Sequence, residues 1–208
     1  MHIAVEGLIG VGKSTFVKKF AEITQYTPKY ESVEDNPFLP LFYKDPKRWA
    51  YTVQSYFLYR RYHDHTEGEN LILDRSLYGD IPFADMLYQD GIMSAIEHEC
   101  YVSHYEILEP KIPTLSACIF LNTTPEVALE RVRKRDRSYE SSLSLSYLEN
   151  LKREIENIPN RLRPETQVIC VDWKDMGDEE MTESVKEVVL KVFYVLVYTN
   201  NVAFFHLI

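Results

Sequence analysis

The sequence predicts an α/β fold, a five-stranded parallel sheet with helices on both faces. Short apolar runs alternate with longer runs of helical period along the 208 residues. Strands separated by helices require parallel crossovers, and these cover a sheet on both sides. The first apolar run also ends in a glycine-rich loop that opens a helix, the order that a strand–loop–helix phosphate site demands.

Strands are expected at His2–Val5, Pro28–Glu31, Asn70–Leu73, Leu115–Leu121 and Thr166–Val171. Helical patterns lie near Ser14–Thr24, Lys47–His65, Ile81–Gln89, Ser94–Leu108, Pro125–Lys134, Tyr147–Ile158 and Glu179–Tyr198. Asp45 before Pro46, and Thr124 before Pro125, read as helix N-caps followed by proline in the first turn. Ser146 with Glu149 reads as a capping box. Residues 1–208 fit one domain, since chains of this length form a single full-sized core.

Composition excludes several classes. The chain is 45% hydrophobic and 26% charged, which places it among globular proteins rather than disordered ones. Thirty-two acids against 23 bases give a net charge of −9, so binding to nucleic acid through its phosphates is not expected. A small anionic ligand remains compatible, because a cleft makes its own field. Three cysteines without C-x-x-C spacing, Cys100, Cys118 and Cys170, indicate reduced thiols in a cytoplasmic compartment. No leader or transit pattern precedes the first strand. The apolar stretch Val188–Ile208 is interrupted by Lys191, Asn200, Asn201 and His206, so a buried helix with a docked tail is expected there, not a membrane span.

The segment from Gly7 through Gly10 and Gly12 to Lys13-Ser14-Thr15 fits G-x-x-x-x-G-K-[ST]. Glycines let successive backbone N–H groups point at phosphate oxygens, and the following helix aims its positive end at the same place. Lys13 supplies a mobile charge for the β- and γ-phosphates, and the Ser14 hydroxyl is a ligand for Mg²⁺. The motif specifies a nucleoside triphosphate and no more. No N-K-x-D guanine-reading segment accompanies it. Transfer to a hydroxyl needs a carboxylate near the acceptor, cations over the phosphates and a cleft that excludes water. Glu31 at the end of the second strand, and Asp74-Arg75-Ser76 after the third, stand where ligands collect in open parallel sheets.

Gln54 and Arg61 are nearly two helical turns apart and project from one side of their helix. A carboxamide offers donor and acceptor together, which suits the edge of a nucleobase. Arg131, Arg133, Arg135 and Arg137 precede a serine-rich loop and read as a lid over phosphates, at about residues 131–145. His63 and His65 are two apart on a helix, so they diverge and are expected as an exposed helix end, not as metal ligands.

Several ordered motifs make the chain resemble the deoxyribonucleoside kinases, of the deoxycytidine/deoxyguanosine kinase and bacterial deoxyadenosine/deoxyguanosine kinase type. They are the P-loop, Glu31-Ser32-Val33, the run from Tyr43 to Trp49 leading to Gln54, Asp74-Arg75-Ser76, and Arg131-x3-Arg135-x-Arg137-x2-Glu140. The resemblance spans residue 3 to about residue 158. It implies a P-loop kinase fold with an arginine-rich lid, ATP and Mg²⁺ as cofactors, and a homodimer. It implies that Glu31 accepts the proton of the deoxynucleoside 5′-hydroxyl, that Arg75 holds Glu31 and the phosphoryl oxygens together, and that Asp74 reaches Mg²⁺ directly or through water. Gln54, Arg61 and Asp80 would read the base, favouring deoxyadenosine, deoxyguanosine or deoxycytidine over thymidine. Tyr43 and Glu140 would hold the 3′-hydroxyl. Arg131 and Arg135 would meet the donor adenine and phosphates, and Arg137 the transferring group. Tyr139 stands where the animal enzymes carry a second acid. Two other readings share the P-loop: a nucleoside monophosphate kinase of the thymidylate kinase kind, and a non-catalytic kinase-like subunit, against which Lys13 and Glu31 both speak.

Overall fold

Five strands, β1 (His2–Gly7), β2 (Thr27–Lys29), β3 (Leu71–Asp74), β4 (Leu115–Asn122) and β5 (Gln167–Asp172), pair in parallel in the order β2-β3-β1-β4-β5. The computed structural model describes residues 1–31, 33, 35–137, 140 and 143–200, without the side chains of 195–200. Every residue of β1 and β3 is buried, which a strand attains only when both sheet faces are covered. The helices are α1 (Lys13–Thr24), α2 (Leu39–Lys44), α3 (Pro46–Thr66), α4 (Asp80–Gln89), α5 (Ala95–Leu108), α6 (Pro125–Arg135), α7 (Leu145–Ile155) and α8 (Asp178–Asn200). Helix α1 packs on α8, while α3, α4 and α5 pack on one another and continue through α7 to α6.

The connections diverge at β1. The chain first builds outward through β2 and β3 on one side, then crosses to β4 and β5 on the other. A parallel sheet opens a crevice beyond its strand C-termini at such a reversal. The loop after β1, the residues just past β2 and the turn after β3 all lie at that edge.

Local chemistry sets the helix starts. Asp45 accepts from the Arg48 N–H at 3.3 Å, with Pro46 in the first turn of α3. Thr124 does the same for Val127 at 3.4 Å, with Pro125 opening α6. The cap of α7 is Ser144, which accepts from Tyr147 N–H at 3.1 Å; the expected Ser146 lies inside the helix. Leu143 before this cap and Leu148 at the fourth helical position are both buried, the spacing of a hydrophobic staple that favours the earlier start. A reciprocal capping box forms instead between Ser94 and Glu97 at the start of α5.

Two other expectations change. Helix α2 carries no helical apolar period long enough to stand out, and Pro40 sits in its first turn, where its missing N–H costs nothing. Helix α8 is half-buried, not buried: Val185, Val188 and Val192 face inward, while Leu190 and Tyr194 are exposed. The tail Val202–Ile208 lies outside the described residues. All three cysteines are free thiols. Among the described residues, no helix is long and apolar enough to cross a membrane.

Candidate active site

The loop between β1 and α1 is shaped by glycines. Gly10 has φ +84° and a Cβ there would run into the carbonyl oxygen of Ala128 in α6. Gly12 has φ +109° and a Cβ would stand 2.7 Å from Trp173 Nε1. Neither conformation suits a residue with a side chain. The Lys13 ammonium lies inside the loop, donating to the carbonyls of Leu8 at 2.9 Å and Gly7 at 3.3 Å. Burial, then the nearby Arg75, brings Lys13 down to about 8.

A cleft of about 720 Å³ opens from this loop toward α3. Every residue nominated from the sequence lines it except Gly7 and Asp80. Six cationic and four acidic side chains face the cleft, so it carries a local positive excess on a chain of net charge −9. An anionic ligand is drawn to such a place.

Glu31 lies two residues beyond β2 rather than in it. Its Oε1 accepts from Arg61 Nη2 at 2.8 Å and lies 3.5 Å from Arg75 Nε. Burial pushes the Glu31 carboxyl up, but Arg61, then Arg75, Lys13 and Arg135 outweigh it and hold Glu31 below the usual carboxylate range. A carboxylate kept ionised beside a phosphate loop is suited to receive a proton as a hydroxyl becomes acidic.

Arg75 occupies an uncommon conformation for a side-chain-bearing residue, with φ +76°. Successive N–H groups of its turn each have an acceptor from elsewhere. Arg75 N donates to Val5 O at 3.0 Å, Ser76 N to Glu6 Oε1 at 2.7 Å, and Leu77 N to His65 Nε2 at 3.0 Å. The Arg75 guanidinium lies 4.7 Å above the Phe83 ring and donates from Nη2 to Gly7 O at 3.3 Å. His65 is therefore a fully buried acceptor, not an exposed helix end. The α3 face that carries it packs against this turn.

Asp74 ends β3. Its Oδ2 accepts from Ser14 Oγ, and its Oδ1 is buried without a hydrogen-bond partner. Two hard oxygens side by side, one with a free lone pair, fit the donor set that Mg²⁺ takes.

On α3, Gln54 and Arg61 do face the cleft from one side. Asp80 lies behind Arg61, fully buried, with its Oδ1 3.0 Å from Arg61 Nε. This is a buried pair and not a surface one. Arg61 also covers the Phe57 ring at 5.0 Å. Tyr51, on the same helix, hydrogen-bonds Cys100 Sγ at 3.3 Å and does not line the cleft.

The arginines at the end of α6 diverge in their contacts. Arg131 donates to Val11 O at 2.7 Å and to Asp175 at 2.8 Å, tying α6 to the phosphate loop. Arg135 forms a two-pronged pair with Glu140 at 2.7 and 2.6 Å, and Arg137 Nη1 is 3.7 Å from the same carboxylate. Arg133 is exposed. Glu6 was not legible as a site residue. Its signal is a carboxylate inside an otherwise apolar strand, directly before the glycine loop.

Similarity to known proteins follows the same pattern. The deoxynucleoside kinase family matches residues 3–195. A deoxyadenosine kinase of Dictyostelium discoideum is 30% identical over 190 residues, 89% of this chain and 78% of that protein. A deoxyadenosine/deoxycytidine kinase of Bacillus subtilis is 31% identical over 201 residues, 92% of this chain and 93% of that protein. Among solved structures, deoxyadenosine kinase from M. mycoides with dCMP and dCDP bound superposes with a TM-score of 0.83 at 26% identity, covering 94% of this chain and all of that one. The same enzyme with dATP bound gives 0.80 at 25% identity, covering 93% and 100%.

Proposed function

The chain belongs to the deoxynucleoside kinase family, and from that premise we propose how its cleft works, residue by residue. The protein is an ATP-dependent phosphotransferase acting on deoxynucleosides. Glu31 accepts the proton of the 5′-hydroxyl. The 5′-oxygen bonds to the γ-phosphorus while the bond from that phosphorus to the β-phosphate bridging oxygen breaks, so ADP leaves and the 5′-monophosphate remains. The backbone of Gly7–Gly12 and the Lys13 ammonium cradle the donor phosphates. Arg75 and Arg137 offset charge on the transferring group. Thr15 joins the phosphate cradle, Ser14 and Asp74 would hold Mg²⁺, and the metal would supply positive charge to the β- and γ-phosphate oxygens.

The carrying observation is the Arg75 guanidinium, which touches Gly7 of the phosphate loop and approaches Glu31 at once. Acceptor and donor ends of the cleft thus meet at one cation.

Gln54 and Arg61 read the base, with Asp80 fixing Arg61 from behind. Thymine presents a carbonyl and a methyl where adenine and cytosine present an amine. The preference is for deoxyadenosine, deoxyguanosine or deoxycytidine over thymidine. The names of the Dictyostelium and Bacillus relatives support this. Tyr43 and Glu140 hold the 3′-hydroxyl. Arg131, Arg135 and Arg137 belong to a lid over the donor, and release of the Arg135–Glu140 pair accompanies its closure. The active form is a cytoplasmic homodimer of single-domain subunits, supported by the exposed Ile96, Ile107 and Tyr59 on the adjoining helices α5 and α3.

A rate panel over the four natural deoxynucleosides and dTMP, with ATP and Mg²⁺, tests the reading. Turnover of deoxyadenosine, deoxyguanosine or deoxycytidine above thymidine is expected, with none of dTMP. Turnover of dTMP alone would overturn it.

A further inference from the structure

Glu6 is fully buried in β1, where its backbone is in register with Phe120 of β4 while its side chain turns to the segment after β3. Its Oε1 accepts two hydrogen bonds from one residue, from Ser76 N at 2.7 Å and from Ser76 Oγ at 2.6 Å. Its Oε2 has no hydrogen bond and faces Arg75 Nη1 at 3.5 Å. A carboxylate is costly to bury unless it meets donors and an opposite charge. Here both are supplied by consecutive residues of the turn that carries Arg75. Gly79 closes the other side, for a Cβ there would stand 2.7 Å from Glu6 Oε2 and 2.8 Å from Arg75 Cγ. The pocket around this carboxylate thus has no spare room.

We infer that Glu6 is a positioning residue for phosphoryl transfer. It grips Ser76, sustains the unusual backbone of Arg75, and counterbalances Glu31 so that the guanidinium stands between two carboxylates. The geometry explains why a charge is needed rather than a mere acceptor. Arg75 Nε lies 3.5 Å from Glu31 Oε1 and Arg75 Nη1 lies 3.5 Å from Glu6 Oε2. Asp74 and Asp80 also act on Arg75, but Glu6 is the carboxylate within 3.5 Å of Nη1, on the guanidinium nitrogen away from the Glu31 contact at Nε. With a neutral group at position 6 that pull is lost, and Glu31 would draw the guanidinium off the phosphoryl position and tie up the base. Displacements of about 1 Å at such a place cost up to about 100-fold in rate. The inference rests on the role given above to Arg75.

Glu6→Gln keeps an amide oxygen for both Ser76 donors, removes the charge, and turns an amide NH2 toward Arg75 Nη1 in place of Oε2. Steady-state rates are measured for Glu6→Gln, Arg75→Ala, the double variant and Ser76→Ala, with thermal unfolding of each. Glu6→Gln is expected to lower kcat by about 10- to 100-fold while KM for ATP and deoxynucleoside stays within about threefold. The double variant is expected to be no slower than Arg75→Ala, because Glu6 acts through Arg75. Ser76→Ala, which loses one donor, is expected to lower kcat about threefold with the same unchanged KM, and it decides the matter if Glu6→Gln does not fold. Losses that multiply in the double variant, or a Ser76→Ala or Glu6→Gln enzyme with wild-type kcat, overturn the role of Glu6 alone. An Arg75→Ala enzyme with wild-type kcat overturns the reading of Arg75, and Glu6 with it.

Discussion

Arg61 donates from Nη2 to Glu31 Oε1 at 2.8 Å, so the side chain assigned to the base and the carboxylate assigned to the reacting hydroxyl are in direct contact. On the proposed roles, recognition and chemistry share one cation. Burying a charge without its partner is strongly unfavourable, and the remaining link from Arg61 to Asp80 at 3.0 Å makes the three groups a chain.

Arg61→Gln therefore affects more than base choice. Arg61 is the strongest of the cations that hold Glu31 low; Arg75, Lys13 and Arg135 also face it, and Asp74 opposes them. Without Arg61, burial raises the Glu31 carboxyl and the acid limb of the kcat/KM profile moves to higher pH. A loss of about tenfold or more in kcat/KM is expected for every deoxynucleoside. The pH–rate profile with two different bases checks this; a loss confined to one base would contradict it.

Replacing Asp80 with Asn together with Arg61→Gln is expected to relax selectivity. The ratio of kcat/KM for deoxyadenosine over thymidine should fall by about tenfold or more, since polar discrimination of a base edge rests on groups left unpaired by the wrong base. Competition between the two nucleosides in one assay measures the ratio directly.

The buried His65 makes acid stability a test of the turn that carries Arg75. Burial, then His2 and Arg61, lowers the imidazole from 6.5 to about 3. The unfolded chain takes up the proton first, so stability is lost as pH falls from about 6.5 toward 3. His65→Gln retains an acceptor for Leu77 N–H and removes the titration. The pH 7 to pH 4 decline in unfolding free energy should shrink by about 3 kcal/mol, measured by urea unfolding.

Gly10→Ala is expected to weaken nucleotide binding and stability together. The added carbon meets a backbone carbonyl of α6, and φ +84° is itself unfavourable for alanine. A destabilisation above about 1 kcal/mol is expected, with loss of ATP affinity measured by calorimetry.

Much of this was legible in the sequence because it rests on local rules. The glycine loop has a spacing fixed by backbone geometry, the strands are apolar runs, and Gln54 and Arg61 share a helix face by period alone. What escaped depends on packing between distant segments. Glu6 looks like an interruption of a strand until Ser76, seventy residues on, meets it. His65 looks like the polar end of a helix until Leu77 N–H reaches its ring. The α7 cap shifted from Ser146 to Ser144 because Leu143 and Leu148 are both buried, which no local cap preference reveals. Asp80 was expected with Gln54 and Arg61 at the base, but its place behind Arg61 follows from the packing of α4 on α3.

The most direct measurement is turnover by Glu31→Gln beside its ATP affinity. The amide keeps the shape and accepts no proton. A fall in kcat of about 100-fold or more is predicted, general acid–base steps being worth about that much, with the dissociation constant for ATP within about threefold of wild type. A variant that keeps kcat within tenfold would show that the carboxylate at position 31 is not the group that takes the hydroxyl proton.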